Sequence, residues 1–319
     1  MNFDYRPYVL NFKHPLKTSK GSLSSRRGII LRLQGNGNVG YGDIVCFPEL
    51  GTESFEGALA FCKNPTPEIP SSLPATQFAY ESALSSLEEV SLSEKKILIA
   101  GLLSSGPDVL VKAQRLLNEG YKIIKWKVGV QPLAQEQAVF QELVALAKTH
   151  SAKLRLDANG ALTQQSLLSW MTLLEDYEID FFEQPLPEGS EECLFDCAKN
   201  FKTTLALDEA VRSLEAVKRF TDLGFMGVFV IKPSLFGFMK PFQGWCANNP
   251  VKYMYSSIFE TSVGLQSLLR LGAKSQSFAL GLGTLAFLDQ GPLSFHQLEP
   301  AMNCNTIAAK EDALWNSLA

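Results

Sequence analysis

Five short phrases decide the fold: KWK at residues 125–127, LDAN at 156–159, FFEQP at 181–185, ALDE at 206–209 and VIKPS at 230–234. In each of these motifs a charged residue follows an apolar run. From Asp157 onward the charged positions are 157, 183, 208 and 232, which lie 26, 25 and 24 residues apart. One strand, one helix and two loops fit this spacing. The pattern therefore predicts parallel strands whose C-terminal ends bring acids and lysines to one rim of a β/α barrel.

Length and composition agree with a large folded core. The chain has 319 residues, of which 46% are hydrophobic and 19% are charged. This length suits a barrel of about 250 residues with additions. The net charge is −4 and no basic run occurs, so we expect neither nucleic acid nor a membrane as a partner. Small-molecule partners remain, and the oligomeric state is not predicted.

The N-terminus and the cysteines indicate a cytoplasmic protein. Residues 1–20 lack a basic start followed by an apolar core, so no signal peptide is expected. Six scattered cysteines in a chain this rich in apolar residues favour free thiols in a reducing compartment. Cys193 and Cys197 lie four positions apart, but no histidine is near them in sequence, so a zinc site is not predicted.

The N-terminal third has the pattern of a small α+β domain. Three alternating strands and two helices are predicted, at residues 5–12, 27–33, 38–45, 53–63 and 75–90. A Gly/Asn cluster at 35–37 suits a hairpin turn between the second and third strands. The small polar stretch at 17–25 is either a plain connection or a loop that closes over a site. We expect residues 1–95 to form a capping domain.

After residue 95, strands and helices alternate, which predicts a parallel β/α fold. Eight strands are expected to start near Ile97, Ile123, Leu154, Asp180, Thr204, Val228, Val251 and Phe278. Helices are expected between them, at residues 108–117, 134–148, 163–177, 191–200 and 214–223. The predicted fold class is thus α/β, with a (β/α)8-type barrel over residues 96–290 and a tail, 291–319, that folds back onto the capping domain.

Two lysines on one predicted strand favour a functional site. Lys125 and Lys127 are two positions apart, so their side chains point to the same face, while Trp126 points to the other. If Trp126 packs under the outer helices, both lysines face the barrel interior. Buried ammonium groups cost much free energy unless each has a partner. A purely structural role for this pair is therefore disfavoured.

Three acids complete the predicted site. Asp157, Glu183 and Asp208 each end a different strand, so the fold would bring their mutually repelling carboxylates together. A hard divalent cation relieves that repulsion, and an all-oxygen site suits Mg²⁺, with Mn²⁺ as the alternative. Asn159 is placed to supplement the metal site or to contact the substrate. Glu209 should point away if the strand stays regular.

A metal beside lysines indicates proton abstraction next to a carboxylate. When a carboxylate substrate binds Mg²⁺, its α-proton becomes more acidic, because the ion stabilises the resulting enediolate. A lysine can act as the base, since a neighbouring ammonium and a dication both favour its neutral form. Lys127 and Lys232, on different strands, could flank the two faces of such a substrate.

These residues resemble the enolase superfamily, whose sites generally combine a Lys or His base with Mg²⁺. The likeness is to the muconate-lactonising branch, with Lys-x-Lys on the second strand, three acidic ligands and a lysine on the sixth. GYGDIVCFPELGTES, at residues 40–54, is similar to a capping-domain strand and loop of that superfamily. Further phrases resemble the o-succinylbenzoate synthase family: RLDANGAL, EQPLP, LDEA, VIKPSLFG, SSIFETSVGL and GLGT.

The resemblance implies a role for each residue. It makes Lys127 the base that later protonates the departing hydroxyl, and Lys232 a group that stabilises the enediolate or acts as the opposing acid/base in a racemising relative. The metal ligands would be Asp157, Glu183 and Asp208. Substrate contacts would come from Lys125, Arg155, Asn159, Ser256 and Gly281. For Arg155, pairing with acids is an equal alternative, and Gly283 stands where some relatives have an acid.

The reaction has three candidate outcomes, because enzymes that share a fold and a metal site differ in chemistry. The first is a lyase reaction of menaquinone biosynthesis, the dehydration of 2-succinyl-6-hydroxy-2,4-cyclohexadiene-1-carboxylate to o-succinylbenzoate. The second is racemisation of N-succinylamino acids or epimerisation of dipeptides. The third is an inactive barrel that binds a ligand, against which the intact acids and lysines argue.

Overall fold

The structure is a computed structural model that describes residues 1–18, 21–88, 94–103, 105–274, 278–289, 298–304 and 311–318. Within these ranges the chain forms a three-stranded antiparallel sheet, a seven-stranded parallel sheet and a two-stranded pair. None of the described helices is long and apolar enough to cross a membrane. All six cysteines are free, in agreement with the sequence prediction.

The antiparallel sheet lies at the N-terminus and has the order β1-β2-β3. Its strands are β1 Asn2–Thr18, β2 Gly21–Gly35 and β3 Asn38–Cys46. The predicted turn between β2 and β3 is confirmed, since Asn36 and Gly37 both have positive φ angles, 52° and 81°.

The polar stretch at 17–25 is mostly strand, so its prediction as a loop was wrong. Lys17 pairs with Ser22, and Thr18 pairs with Gly21. The ladder between β1 and β2 therefore continues past the polar residues, because backbone hydrogen bonds do not depend on side-chain polarity. Residues 19 and 20 lie outside the described residues.

Two helices, α1 Phe55–Lys63 and α2 Pro74–Glu88, belong to this region. Helix α2 lies directly against β3, and the contact depends on two glycines. A Cβ added at Gly40 would lie 2.0 Å from the carbonyl oxygen of Ala83, and one at Gly42 would lie 1.9 Å from that of Ala79. Glycine is thus required by close backbone approach at both positions.

The parallel sheet has the order β11-β10-β9-β8-β7-β6-β5. Its strands are β5 Gly101–Leu103, β6 Ile123–Lys127, β7 Lys153–Asp157, β8 Phe181–Glu183, β9 Leu205–Leu207, β10 Val228–Ile231 and β11 Lys252–Tyr255. Consecutive parallel strands are joined by helices, as the alternating pattern predicted.

Most helices that follow these strands bury one face, whereas α10 is buried on all sides over residues 262–270. They are α3 Val109–Asn118, α4 Leu133–Thr149, α5 Gln164–Leu174, α6 Glu191–Asn200, α7 Leu214–Asp222, α8 Pro233–Phe236, α9 Met239–Asn248 and α10 Ser262–Lys274. In α5, the buried residues Leu167, Trp170, Met171 and Leu174 follow helical spacing, and a Thr163 capping box starts the helix.

Two predicted barrel strands differ in the structure. The strand at Ile97 is β4 Ile97–Leu98, which pairs antiparallel with β12 Ala301–Met302 outside the parallel sheet. Near Phe278 the described residues form isolated parallel bridges, in which Leu280 pairs with Ile99 and Gly281 pairs with Ser256. Gly281 and Gly283 weaken strand formation there. The structure therefore shows seven parallel strands with bridges at both edges.

The C-terminal segment contacts the N-terminal sheet. A 3₁₀ helix spans Gly283–Phe287, and the last helix, α11, spans Glu311–Ser317. The indole of Trp315 stacks with the guanidinium groups of Arg6 and Arg32, whose carbons lie 4.3 and 4.5 Å from the ring centroid. The Tyr41 hydroxyl also donates to Asp312 at 2.5 Å.

Candidate active site

A cavity of about 380 Å³ opens where the parallel strands end at their C-termini. The three predicted lysines, Lys125, Lys127 and Lys232, all line it. The other lining groups with polar side chains or glycine are Glu49, Asp157, Asn159, Asp208, Glu209, Ser256, Ser257, Gly281, Gly283 and Thr284. Most of the residues that the sequence singled out therefore lie at this cavity.

Strand register sets the positions of the charged side chains. Lys127 is paired with Asp157, and Asp157 with Glu183, so the last residues of β6, β7 and β8 lie side by side. Asp208 directly follows β9, and Lys232 directly follows β10. Five adjacent strands thus deliver the five residues to one edge of the sheet.

Lys125 is held between two carboxylates. Its Nζ lies 2.8 Å from Oδ2 of Asp157 and 2.7 Å from Oε1 of Glu183. Burial alone would lower the pKa of Lys125, but the two carboxylates outweigh burial and raise it. Both contacts therefore favour the ammonium form of Lys125.

Lys232 has a similar environment. Its Nζ donates to Oδ2 of Asp208 at 2.7 Å. Burial acts to lower the pKa of Lys232, whereas the charges of Asp208 and Glu209 raise it. In this arrangement Lys232 carries a positive charge into the cavity and can stabilise an oxyanion.

Lys127 differs from both other lysines. Its side chain is exposed to the cavity, whereas Ile124 and Trp126 on the same strand are buried. The predicted alternation of faces along β6 is therefore observed. Exposure leaves the amine of Lys127 accessible to a molecule in the cavity.

Glu183 is the most deeply buried of the three acids, with 0% of its surface exposed. Burial raises the pKa of Glu183 to about 8; Lys125 counteracts this rise, while Asp157 and Asp208 add to it. Within the described part of the chain, Oε2 of Glu183 and Oδ1 of Asp208 are buried without a hydrogen-bond partner. Orphaned carboxylate oxygens of this kind need a cation or another donor.

The carboxylate oxygens at this site suit a hard cation, although they are not already arranged in the geometry of a metal site. Among the described residues, no group of three or more His, Cys, Asp or Glu side chains has metal-site geometry. The ammonium of Lys125 lies between Asp157 and Glu183 instead. The oxygens available from Asp157, Glu183 and Asp208 match the preference of Mg²⁺, and no cysteine or histidine of the described residues lines the cavity.

Asn159 and Glu209 lie beside the acids. The side-chain amide of Asn159 donates to Oδ2 of Asp157 at 3.3 Å and to Oε1 of Glu209 at 3.1 Å. The expectation that Glu209 points away was wrong: it lines the cavity, because β9 ends at Leu207 and strand alternation stops there. Burial raises the pKa of Glu209 to about 6, and the charge of Asp208 adds to the rise.

Ser256 and Gly281 meet at the cavity wall, next to their backbone bridge. The Ser256 hydroxyl donates to the carbonyl oxygen of Gly281 at 3.1 Å. A Cβ at Gly281 would lie 2.7 Å from Oγ of Ser256, so a side chain would collide with that hydroxyl. Both residues are therefore placed where a ligand could contact them.

Arg155 does not line the cavity. Its side chain is 0% exposed, and its guanidinium donates to Asp180 at 2.7 and 3.1 Å and to the carbonyl oxygen of Ala279 at 3.2 Å. It also stacks on Phe181. A role in substrate binding does not fit this position. Arg155 instead pairs with an acid, which was the alternative expectation from the sequence. The acid is Asp180.

Comparison with known proteins identifies the family. A family model described as Enolase C-terminal domain-like matches residues 108–273. An o-succinylbenzoate synthase from Thermosynechococcus vestitus is 35% identical over 298 residues, which are 89% of this chain and 92% of that protein. The chain belongs to the enolase superfamily. The resemblance based on the sequence motifs is thus confirmed.

Structures of the enolase superfamily agree. The crystal structure of o-succinylbenzoate synthase from Thermosynechococcus elongatus BP-1, complexed with Mg in the active site, matches with a TM-score of 0.85 and 32% identity. The match covers 99% of this chain and 100% of that one. A hydrophobic dipeptide epimerase from Roseobacter litoralis is 24% identical over 242 residues, 66% of this chain and 70% of that protein.

The apolar wall of this enolase-superfamily cavity was not predicted from the sequence. Leu16 and Leu50 reach it from the N-terminal region, and Ile258, Phe259 and Phe287 reach it from loops after β11 and beyond. Single apolar residues in loops have no periodic signal. A backbone angle gives one hint, because Phe259 has a positive φ of 70°, but this is visible only in the structure.

Proposed function

We propose that this protein is an o-succinylbenzoate synthase, a lyase that dehydrates 2-succinyl-6-hydroxy-2,4-cyclohexadiene-1-carboxylate to o-succinylbenzoate in menaquinone biosynthesis. One observation carries the proposal: Lys127, Lys232, Asp157 and Asp208 line one cavity, and the buried Glu183 lies next to Asp157 in the strand register and contacts Lys125, which also lines the cavity. The 35% identity to a synthase over most of both chains supports the choice of reaction within the superfamily.

We further propose that Asp157, Glu183 and Asp208 hold Mg²⁺. The unpartnered oxygens described above, on Glu183 and Asp208, are the basis for this assignment. When bound, the ion would supply positive charge that offsets the negative charge developing on a substrate carboxylate. Whether Mn²⁺ can replace it is tested by adding each ion to metal-free protein.

Lys127 is the proposed base. It removes the proton from the ring carbon that bears the carboxylate, and the resulting ammonium returns a proton to the hydroxyl that leaves from the neighbouring carbon. One water is released, and the ring becomes aromatic. Lys127 ends the reaction in its starting protonation state, so the step balances without another reactant.

The remaining charged groups have electrostatic roles in this proposal. Lys232, fixed by Asp208, stabilises the negative charge on the deprotonated substrate. Lys125 offsets part of the charge of Asp157 and Glu183. Ser256, Gly281 and Asn159 lie on the wall and are placed to contact the carboxylate groups of the substrate.

The division of the chain into three parts is also a proposal. Residues 1–95 form a capping domain, because Leu16, Glu49 and Leu50 close one side of the cavity. Residues 96–290 form a (β/α)8-type barrel, in which the bridged segment at 280–281 takes the place of the eighth strand. The last segment, 291–319, belongs with the capping domain, as the contacts of Trp315 and Asp312 suggest.

Substrate conversion tests the proposal directly. Purified protein is mixed with the cyclohexadiene substrate and Mg²⁺, and the absorbance of the substrate is followed. We expect the signal to decay with formation of o-succinylbenzoate, and to stop decaying after a chelator is added. An unchanged signal with folded, Mg²⁺-loaded protein would disprove the proposed reaction. Decay that continues in the chelator would disprove the role of the metal.

A second activity is favoured by the presence of lysines on two strands, β6 and β10, around one cavity. Lys127 and Lys232 could exchange the α-proton of an N-succinylamino acid or a dipeptide from opposite faces. The test is incubation in D₂O with a panel of such compounds. Deuterium at the α-carbon would establish this activity, and its absence across the panel would exclude it.

A further inference from the structure

Phe259 holds a backbone conformation that phenylalanine rarely adopts. Its φ of 70° lies in the left-handed region, where a side chain with a Cβ is crowded. Such conformations persist where the surrounding structure fixes them, and they are concentrated at functional sites. Phe259 and its neighbour Ile258 both line the cavity. We call residues 258–261 the wall segment.

Arg26, on strand β2 of the N-terminal sheet, holds the wall segment by a backbone atom. Its Nε donates to the carbonyl oxygen of Phe259 at 2.9 Å, and its Nη2 donates to the same oxygen. Its Nη1 donates to the hydroxyl of Tyr8 at 2.7 Å. The side chain is buried, so water does not compete with these bonds.

Asp43 holds the end of the same segment. Its Oδ2 accepts from the backbone nitrogen of Thr261 at 2.7 Å and from the hydroxyl of Thr261 at 2.9 Å. Its Oδ1 accepts from the Tyr8 hydroxyl at 2.5 Å. Arg26, Tyr8 and Asp43 come from three different strands, so all three strands of the N-terminal sheet contribute to one hydrogen-bond network that includes the wall segment.

Packing of the Phe259 ring complements these hydrogen bonds. The ring meets Phe12 at a centroid distance of 5.3 Å and Phe47 at 5.7 Å, both from the N-terminal region. It also meets Phe287, which lines the cavity, at 6.1 Å. A change in the Phe259 backbone would therefore move two aromatic side chains of the cavity wall.

We propose that Arg26 is a positioning residue for substrate binding: it fixes the Phe259 carbonyl and thereby the shape of the apolar wall. This inference rests on the function proposed above, which makes the cavity the substrate site. Arg26 acts on the wall segment after β11, whereas Lys127 and the acids are carried by β6 to β9. Loosening the wall should therefore weaken substrate binding more than it slows proton transfer.

The test compares Arg26→Met and Arg26→Lys with the wild-type protein. Methionine removes every hydrogen bond to Phe259, whereas lysine keeps the charge beside Asp43 and one donor, which protects folding. Arg27→Lys is the matched control, because Arg27 is adjacent but exposed, pairs with Glu56 and stacks on Phe55. Steady-state kinetics give KM and kcat, and amide hydrogen exchange reports the protection of Ile258 and Thr261.

We expect KM to rise about tenfold in Arg26→Met and less in Arg26→Lys, with kcat within threefold of wild type. Exchange should become faster at the wall segment and stay unchanged elsewhere, and Arg27→Lys should match wild type. If Arg26→Lys and a folded Arg26→Met both keep wild-type KM and exchange, the inference is wrong. If kcat falls by the same factor as KM rises, and exchange becomes faster throughout the protein, the substitution has destabilised the whole fold. That result would also refute the proposed role of Arg26.

The two proposals fail in distinguishable ways. If the wild-type protein does not convert the cyclohexadiene, the proposed function fails. Hydrogen exchange then tests by itself whether Arg26 fixes residues 258–261. Faster exchange confined to residues 258–261 would still support its hold on the wall. Unchanged exchange would refute it. If wild type is active and the variants bind substrate normally, the proposed function stands and the role of Arg26 is refuted.

Discussion

Lys125, Lys127 and Lys232 have the same side chain but three different environments. Lys125 contacts two carboxylates, Lys232 contacts one, and Lys127 is exposed to the cavity. Neighbouring negative charge stabilises an ammonium, so the contacts of Lys125 and Lys232 favour their charged forms, whereas Lys127 has no such contact described. The division of labour between base and charge stabiliser follows from these contacts.

Replacement of Lys127 by alanine tests the assignment of the base. We expect kcat to fall about 10²–10⁴-fold, the usual contribution of general acid–base catalysis. The side chain is exposed, so the melting temperature should stay close to that of wild type. Lys122→Ala is the control. Lys122 is exposed and directly precedes β6, at the end opposite Lys127, so this variant should keep full activity. A fully active Lys127→Ala protein would rule out Lys127 as the base.

Asn159 offers a second test at this scale. Its amide contacts Asp157 and Glu209, and groups that orient metal ligands commonly affect metal affinity about 10–100-fold. Asn159→Ala should raise the Mg²⁺ dissociation constant, measured by titration calorimetry, by a factor in this range. Asn248→Ala, in an exposed part of α9, is the matched control. Equal Mg²⁺ affinity in wild type and Asn159→Ala would contradict the proposed metal site.

Among the structural elements, the ends of strands were predicted best. The charges of the five phrases lie where expected because burial and side-chain alternation leave few positions for them along a strand. The direction of Glu209 was missed since the prediction extended β9 beyond Leu207. The roles of Arg26 and Phe259 could not be predicted, because they depend on contacts between residues more than 200 positions apart.

The packing of α2 on β3 gives a prediction for an element. Gly42→Ala places a Cβ against the carbonyl of Ala79, so the helix must move away from the sheet. We expect a loss of about 1–3 kcal/mol in the free energy of unfolding, the usual range for overpacking. The loss can be measured by urea denaturation.

Gly244→Ala is the control for this substitution. Gly244 lies inside α9, and its added Cβ would meet no atom within 4 Å beyond the nearby backbone of its own helix. Alanine is a better helix former than glycine, so this variant should gain about 0.5–1 kcal/mol. A Gly42→Ala protein as stable as wild type would show that α2 does not need the glycine.

For the whole molecule, Glu260 links stability to pH. It is 1% exposed, accepts from the backbone of Ile258 at 2.6 Å and lies near the hydroxyl of Ser234. Burial raises the pKa of Glu260 to about 7. The folded protein thus binds this proton more tightly than the unfolded chain. Stability from Glu260 is therefore present at low pH, falls as pH rises from about 4.5 to 7, and is gone above that range.

Glu260→Gln removes this titration. The free energy of unfolding of the variant, minus that of wild type, should rise by roughly 2–3 kcal/mol from pH 5 to pH 8. Urea unfolding at both pH values measures the difference, and Glu56→Gln, at an exposed position, is the control. A difference that does not change with pH would mean that Glu260 has an ordinary affinity for its proton.

The reaction of the whole molecule is tested most directly by comparing two reactions on one preparation. With Mg²⁺ present, kcat/KM is determined for dehydration of 2-succinyl-6-hydroxy-2,4-cyclohexadiene-1-carboxylate and for α-deuterium exchange of N-succinylamino acids in D₂O. We predict formation of o-succinylbenzoate with kcat/KM at least about tenfold above the best exchange substrate, a difference of about 1.4 kcal/mol in transition-state stabilisation. Exchange without dehydration would contradict it.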